Sequence, residues 1–195
     1  LSGFAVTRNF VRTYADSIGI IFMLELILGG ARSGKSRLAE QIAQASGLAV
    51  HYVATAQAFD DEMQQRIDHH RQQRPTIWAL TEEPIFLADT LQRIDATGQL
   101  ILVDCLTLWM SNLLLQQDRT LQEIECHKLL TLLPQLKSHV ILVSNETGLG
   151  VVPMGQISRR FVDETGRLHQ QLGQLAHQVQ FCIAGFPLIL KGRAQ

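Results

Sequence analysis

The stretch Leu24-Glu25-Leu26-Ile27-Leu28-Gly29-Gly30-Ala31-Arg32-Ser33-Gly34-Lys35-Ser36 decides the fold. An apolar run leads straight into G-x-x-x-x-G-K-S, the spelling of a phosphate-binding loop between a buried strand and a helix. Each letter has a physical reason. Gly29 and Gly34 let the backbone wrap closely around an anion, Lys35 reaches the terminal phosphates, and Ser36 offers its hydroxyl to Mg2+. Downstream, Leu38, Ala39, Ile42 and Ala43 recur at helical spacing. The loop therefore opens a helix whose positive N-terminal end faces the phosphates. A glycine-rich turn that bound nothing would need no lysine at that place.

Outward from the loop, β-branched apolar runs alternate with longer helical patterns, as a parallel sheet with crossover helices requires. Further strands are expected at Ala49 to Ala54, Leu100 to Val103 and Val140 to Ser144. A C-terminal hairpin is expected from Val179 to Ala184 and Phe186 to Leu190, with Gly185 and Pro187 marking its turn. Helices are expected near Asp61 to Gln73, Leu106 to Gln116, Leu121 to Leu133 and Gln156 to Gln178. The fold class is α/β, a P-loop NTPase with a mostly parallel central sheet flanked by helices.

The 195 residues, 46% of them hydrophobic, suit one α/β domain with a sizeable core. A formal charge of -1 and no dense Lys/Arg run argue against a nucleic-acid footprint, so a small-molecule substrate is expected. Cys105, Cys126 and Cys182 are odd in number and lack C-x-x-C spacing, which fits buried thiols in a reducing cytoplasm. No stretch is long and apolar enough to span a membrane. Residues 1–22 read as an appendage outside the fold, with the single domain running over residues 23–195.

The strand Leu100 to Val103 ends in Asp104, where a P-loop protein places the acid that shares magnesium with the loop serine. The alternative is a strand-end carboxylate capping the helix that begins near Leu106. The segment Asp60 to Pro75 is less usual. Acids lead at Asp60 to Glu62, and His69, His70, Arg71 and Arg74 gather before Pro75, an order that by itself only complements a helix dipole. Adjacent histidines on a helix diverge by about 100°, so they make poor joint metal ligands. Phosphate chemistry fits better, because a neutral imidazole is a capable nucleophile and arginines offset the charge on a phosphorus under attack. His70 falls three residues after Ile67 and seven after Met63, on the inward side of that helix.

Together these residues resemble the bifunctional adenosylcobinamide kinase and adenosylcobinamide-phosphate guanylyltransferase family of cobalamin biosynthesis. The resemblance runs from Met23 onward. It rests on Gly29 to Ser36, Tyr52-Val53-Ala54-Thr55-Ala56, Asp60-Asp61-Glu62-Met63, and Arg66-Ile67-x-x-His70-x-x-x-Arg74-Pro75. Asn145-Glu146-Thr147-Gly148-Leu149-Gly150-Val151-Val152-Pro153 and Gly185-x-Pro187-x-x-x-Lys191 complete the series. Such a set in this order is highly specific.

The resemblance implies a RecA-like P-loop fold and two successive reactions. ATP or GTP phosphorylates the aminopropanol hydroxyl of adenosylcobinamide, and GMP from GTP is then coupled to that phosphate through a guanylyl-histidine. The histidine nucleophile falls on His70, with Lys35 serving catalysis. Nucleotide contacts carry over to Gly29, Gly30, Ala31, Arg32, Ser33, Gly34, Lys35 and Ser36, to Ala54, Thr55 and Ala56, to Arg71, Gln72, Gln73 and Arg74, and to Glu82 and Asp104. Ser36 and Asp104 would hold Mg2+, and a homotrimer is implied. A carboxylate such as Glu82 can accept from the guanine N1 and N2 donors, yet it also reads as an exposed acid beside Glu83. Asn145-Glu146 either touches substrate or orders its loop. Cys105 and His169 depart from the family's habit, the second position more often being Asn.

Two rivals differ in chemistry. A simple γ-phosphate kinase leaves the His70 to Pro75 pattern without purpose. A GTP-dependent switch wants N-K-x-D after a strand, and Asn145-Glu146-Thr147-Gly148 lacks both the Lys and the Asp.

Overall fold

A computed structural model describes residues 22–57 and 75–192. Their elements are β1 (Leu24–Gly29), α1 (Lys35–Ala45), β2 (Ala49–Ala54), β3 (Ala79–Glu82), α2 (Leu87–Ile94), β4 (Gln99–Asp104), α3 (Leu106–Leu115), α4 (Arg119–Leu132), β5 (His139–Asn145), α5 (Gln156–Leu175), β6 (Gln178–Ile183) and β7 (Phe186–Lys191). The helix expected over residues 61–73 lies outside the described residues.

The strands form one sheet in the order β3-β2-β4-β5-β1-β6-β7. Every neighbouring pair is parallel except β6 and β7, which make the C-terminal antiparallel hairpin. The inner strands are apolar almost end to end because helices cover both faces. Alternation along each strand sends side chains to two separate cores. Leu24, Leu26, Leu28, Ile101, Val103, Val140 and Leu142 pack beneath α2, α3, α4 and α5. Ile27, Val50, Tyr52, Leu100, Leu102, Ile141 and Val143 pack against Leu38, Ala39 and Ala43 of α1. Each fully buried Leu or Ile contributes roughly 1.5–3 kcal/mol relative to exposure, so the inner strands dominate the fold's stability. Trp109 of α3, also fully buried, satisfies its indole by donating from Nε1 to the Ile85 carbonyl at 2.8 Å.

Two elements go beyond the sequence reading. β3 is a four-residue edge strand whose pattern is mostly exposed, so Ala79–Glu82 carries no apolar run to betray it. α2 spans only eight residues and lacks a capping side chain at its N-cap, Phe86. The chain entering it is held instead: one carboxylate oxygen of Glu83 accepts from the Ile85 and Phe86 amides at 2.9 and 2.7 Å, and the other accepts from the Thr90 hydroxyl of the first turn at 3.3 Å.

The hairpin turn falls earlier than its glycine and proline suggest. Ala184, expected at the end of a strand, lies with Gly185 in the turn, both at positive φ. Pro187, expected to mark that turn, instead sits inside β7 opposite Cys182. An edge strand accommodates proline because one row of its amides has no ladder partner.

Candidate functional site

Two glycines fix the shape of the phosphate loop. Gly29 ends β1, and a Cβ there would lie 2.6 Å from both the Cys182 carbonyl and the Ser33 hydroxyl. Gly34, the residue before α1, has φ 93°, and a Cβ on it would meet the Gly185 Cα at 3.0 Å. Any side chain at either place pushes the loop off the hairpin. The hairpin in turn holds the loop: Gly185 N and Cys182 Sγ donate to the Ser33 carbonyl at 2.8 and 3.1 Å.

Gly30, Ala31 and Arg32 are exposed, Ser33, Gly34 and Ser36 are half-buried, and Lys35 is buried at the start of α1. The Lys35 ammonium donates to the Gly30 carbonyl across the loop at 3.2 Å. That bond keeps a buried cation partnered inside the loop. The Ser33 hydroxyl is buried and has no hydrogen-bond partner among the described residues.

Strand parity gathers the remaining groups. Continuing the α1-facing series two residues past Ile27, Tyr52, Leu102 and Val143 reaches Gly29, Ala54, Asp104 and Asn145. All four lie at the carboxyl ends of adjacent parallel strands, where open α/β sheets bind ligands. Register sets their levels: Ala54 pairs with Asp104, Asp104 with Val143, and Gly29 with Asn145. The strand carrying Asn145 thus stands between the loop strand and the strand carrying Asp104.

Asp104 is half-buried and accepts from the Tyr52 hydroxyl at 3.1 Å through Oδ2. Tyr52 itself is buried and stacks on Trp78 at 6.5 Å between centroids. The helix after Asp104 starts at Leu106 with Cys105, not Asp104, as its N-cap residue and no side-chain cap bond, so the capping alternative for Asp104 does not hold. The Asp104–Cys105 peptide is cis. Thr55 is fully buried; its hydroxyl donates to the Cys105 carbonyl at 2.7 Å and accepts from the Cys105 amide at 2.9 Å. Its own amide donates to the Asp104 carbonyl at 3.3 Å. Thr55 therefore holds the end of β4 in place, while Ala54 and Ala56 flank it, half-buried.

Glu82 ends β3 with an exposed side chain, in register with Ala54. His70, Arg71, Gln72, Gln73 and Arg74 lie outside the described residues. Groups that the sequence reading did not assign to the site are Tyr52, through its bond to Asp104, and Thr107, whose Oγ accepts from the Asn145 amide at 3.2 Å. A lone tyrosine in the apolar run of β2, two places before Ala54, was the available signal.

The thiols are quiet. Burial first and the Asp104 charge second push Cys105 up to about 11, and burial followed by Glu164 and Glu125 pushes Cys126 to about 12. Cys182 is also raised, chiefly by burial, and all three are free. The histidines shift the other way. Burial lowers His51, with Arg93 adding to the effect, and lowers His139 and His169, the last opposed by Glu146. Their folded values lie below the ordinary 6.5, so the unfolded chain takes up protons first as pH falls. The stability they give is complete above about pH 6.5 and declines below it. Thermal melts at pH 7.5, 6.0 and 5.0 should show Tm falling across this window, and His139→Gln should lessen the slope.

A P-loop whose strand is separated by one strand from an acid-bearing strand, all at the carboxyl edge of a parallel sheet, defines a RecA-like P-loop NTPase fold. The flagellar accessory protein FlaH of Methanocaldococcus jannaschii shares this architecture at a TM-score of 0.56 and 15% identity, over 94% of this chain and 87% of that one. The chain belongs to the cobinamide kinase / cobinamide phosphate guanyltransferase family, which matches residues 25–190. It is 56% identical over 170 residues to the bifunctional adenosylcobalamin biosynthesis protein CobP of Pseudomonas aeruginosa, across 87% of this chain and 98% of that protein. It is 36% identical over 182 residues to the bifunctional adenosylcobalamin biosynthesis protein CobU of Escherichia coli, across 87% and 100%. Among the described residues no helix is long and apolar enough to cross a membrane.

Proposed function

We propose that this protein phosphorylates the aminopropanol hydroxyl of adenosylcobinamide with ATP or GTP, then joins GMP from GTP to the new phosphate through His70. The observation that carries the reading is the coexistence, in a chain of this family, of the phosphate loop and the Ile67-x-x-His70-x-x-x-Arg74-Pro75 pattern. A kinase alone has no use for the second. In the first step the substrate hydroxyl oxygen bonds to the γ-phosphorus, its proton passes to solvent, and the β–γ bridge breaks, releasing the nucleoside diphosphate. In the second, a neutral His70 nitrogen bonds to the α-phosphorus of GTP and pyrophosphate leaves. An oxygen of the corrinoid phosphate then displaces the histidine, restoring it and leaving a diphosphate linkage.

The loop residues Gly29 to Lys35 would cradle the leaving phosphates, with Arg71 and Arg74 offsetting charge at the phosphorus under attack. Glu82 would read the guanine edge. The Ser36 hydroxyl and the Asp104 carboxylate are hard oxygen donors of the kind magnesium prefers, and the Tyr52 hydroxyl orients one of them. Bound there, Mg2+ would neutralise charge shared by the phosphates.

The residues before Met23 would stand outside this machinery, and the enzyme would work in the cytoplasm, where its free thiols stay reduced. Self-association is supported by the exposed apolar row Phe186, Leu188 and Leu190 on edge strand β7, and the family resemblance would make the assembly a homotrimer.

Incubation with GTP labelled at either the α- or the γ-phosphate tests the reading. The α-label should stay on the protein in an acid-labile, base-stable bond and discharge on addition of adenosylcobinamide phosphate. Retention of no α-label leaves a simple kinase or a switch and overturns the guanylyl-transfer half.

A further inference from the structure

His169, on the inner face of α5, is buried to 7% exposure. Its Nε2 lies 2.7 Å from Ser144 Oγ, and its Nδ1 lies 3.5 Å from Glu146 Oε2. One tautomer suits both neighbours. With the proton on Nδ1, Nε2 accepts from the Ser144 hydroxyl, and the Nδ1–H faces the Glu146 carboxylate as an electrostatic contact just beyond a formed hydrogen bond. The other tautomer would turn a lone pair on a carboxylate. Burial outweighs the Glu146 charge and favours the neutral ring.

Ser144 and Glu146 are the two neighbours of Asn145. Parity sends them to the α5 side and Asn145 to the opposite face, the face of α1, Gly29 and Asp104. The Asn145 backbone is fixed as well: its amide donates to Thr107 Oγ, and the next amide, Glu146 N, donates to the Gly29 carbonyl at 3.1 Å. Glu146 Oε1 also accepts from Gly148 N at 2.6 Å, which pins the start of the following loop. In the middle of these restraints, Asn145 Oδ1 is buried and has no hydrogen-bond partner among the described residues. A buried acceptor left open in so constrained a place is expected to be filled by a ligand.

We propose that His169 is a positioning residue which, by gripping Ser144 and Glu146 together, sets the Asn145 amide at the phosphate end of the nucleotide site as a further substrate-contacting group. The amide offers an acceptor to the hydroxyl that is phosphorylated and a donor to a phosphate oxygen. This rests on the reading of Gly29 to Ser36 as a triphosphate cradle.

The test is a double-mutant cycle on the full chain, with Asn145→Ala, His169→Ala and both together. Asn145→Ala should lower kinase kcat at least about tenfold, the worth of one buried hydrogen bond. His169→Ala should match it, with KM for nucleotide within about threefold, and the double variant should be no worse than Asn145→Ala. His169→Asn, which keeps a donor near Glu146, should restore most of the rate. Additive losses, or a His169→Ala protein with unchanged kcat, would overturn the proposal.

A second measurement needs no turnover. The side-chain amide signal of Asn145 in an NMR spectrum should shift when a non-hydrolysable GTP analogue is added to the wild type and to His169→Asn, and much less in His169→Ala. No shift in the wild type refutes the role of Asn145 even if the kinase is active. A shift in a protein without kinase activity upholds the positioning and refutes the substrate.

Discussion

His70→Ala should form no GMP adduct. With α-labelled GTP, the wild-type protein should carry the label through an alkaline denaturing gel, and the variant lane should be blank. The alanine has no lone pair to offer phosphorus, and direct attack by the corrinoid phosphate must then cross the barrier that the covalent route divides in two. Loss of a nucleophile commonly costs about 10⁴–10⁶ in rate, so overall guanylyl transfer should fall below detection. Phosphorylation of adenosylcobinamide should persist within about threefold, because a γ-phosphoryl transfer makes no use of the imidazole. In the wild type the adduct should also fade below about pH 6, where an ordinary histidine is protonated. A labelled His70→Ala protein would end the assignment.

Lys35→Ala should behave in the opposite way, disabling both reactions at once. Its ammonium is buried against the Gly30 carbonyl, 3.2 Å away, at the first position of α1. No other lysine lies in the loop. Removing one preorganised charge from a phosphate site costs about 10²–10³ in kcat, and both γ- and α-phosphorus chemistry draw on the same cradle. Arginine should not substitute, because a planar guanidinium does not fit where a compact ammonium meets a tightly wound backbone. Parallel assays of γ- and α-label transfer check this. A variant that lost only the kinase would mean that the guanylyl step uses a separate triphosphate site.

The legible parts of this chain were those dictated by burial or by a fixed backbone shape. β1, β2, β4 and β5 are buried on both faces, so their apolar runs stand out, and the structure extends the runs around Leu100 and Val140 by a residue or so at each end. The phosphate loop was legible because close approach to Cys182 and a positive φ leave only glycine at Gly29 and Gly34. β3 and α2 were not, since one is a short exposed edge and the other is a two-turn helix with no side-chain cap, its entry held by Glu83, four residues upstream of its first helical position. Asn145 was ambiguous for a related reason. Its place between Gly29 and Asp104 comes from strand order, and strand order is a non-local property that no spacing along the chain reveals. The coupling of His169 to Ser144, 25 positions away, is equally invisible without the packing of α5.

The bond from Gly185 to the Ser33 carbonyl has a consequence for the order in which this protein comes into being. β1 is laid down first but acquires its neighbours β5 and β6 only after more than a hundred further residues, and its loop is braced by a turn at residues 184–185. Contacts of such sequence separation form late, because the chain between them must be ordered first. A nascent chain still lacking β6 and β7 therefore exposes the whole nucleotide motif without the brace that shapes it. Capacity to hold a triphosphate should appear abruptly once β6 and β7 are available, and ribosome-bound chains of increasing length, each followed by a linker that fills the exit tunnel, would show a step in nucleotide capture when residue 191 has emerged.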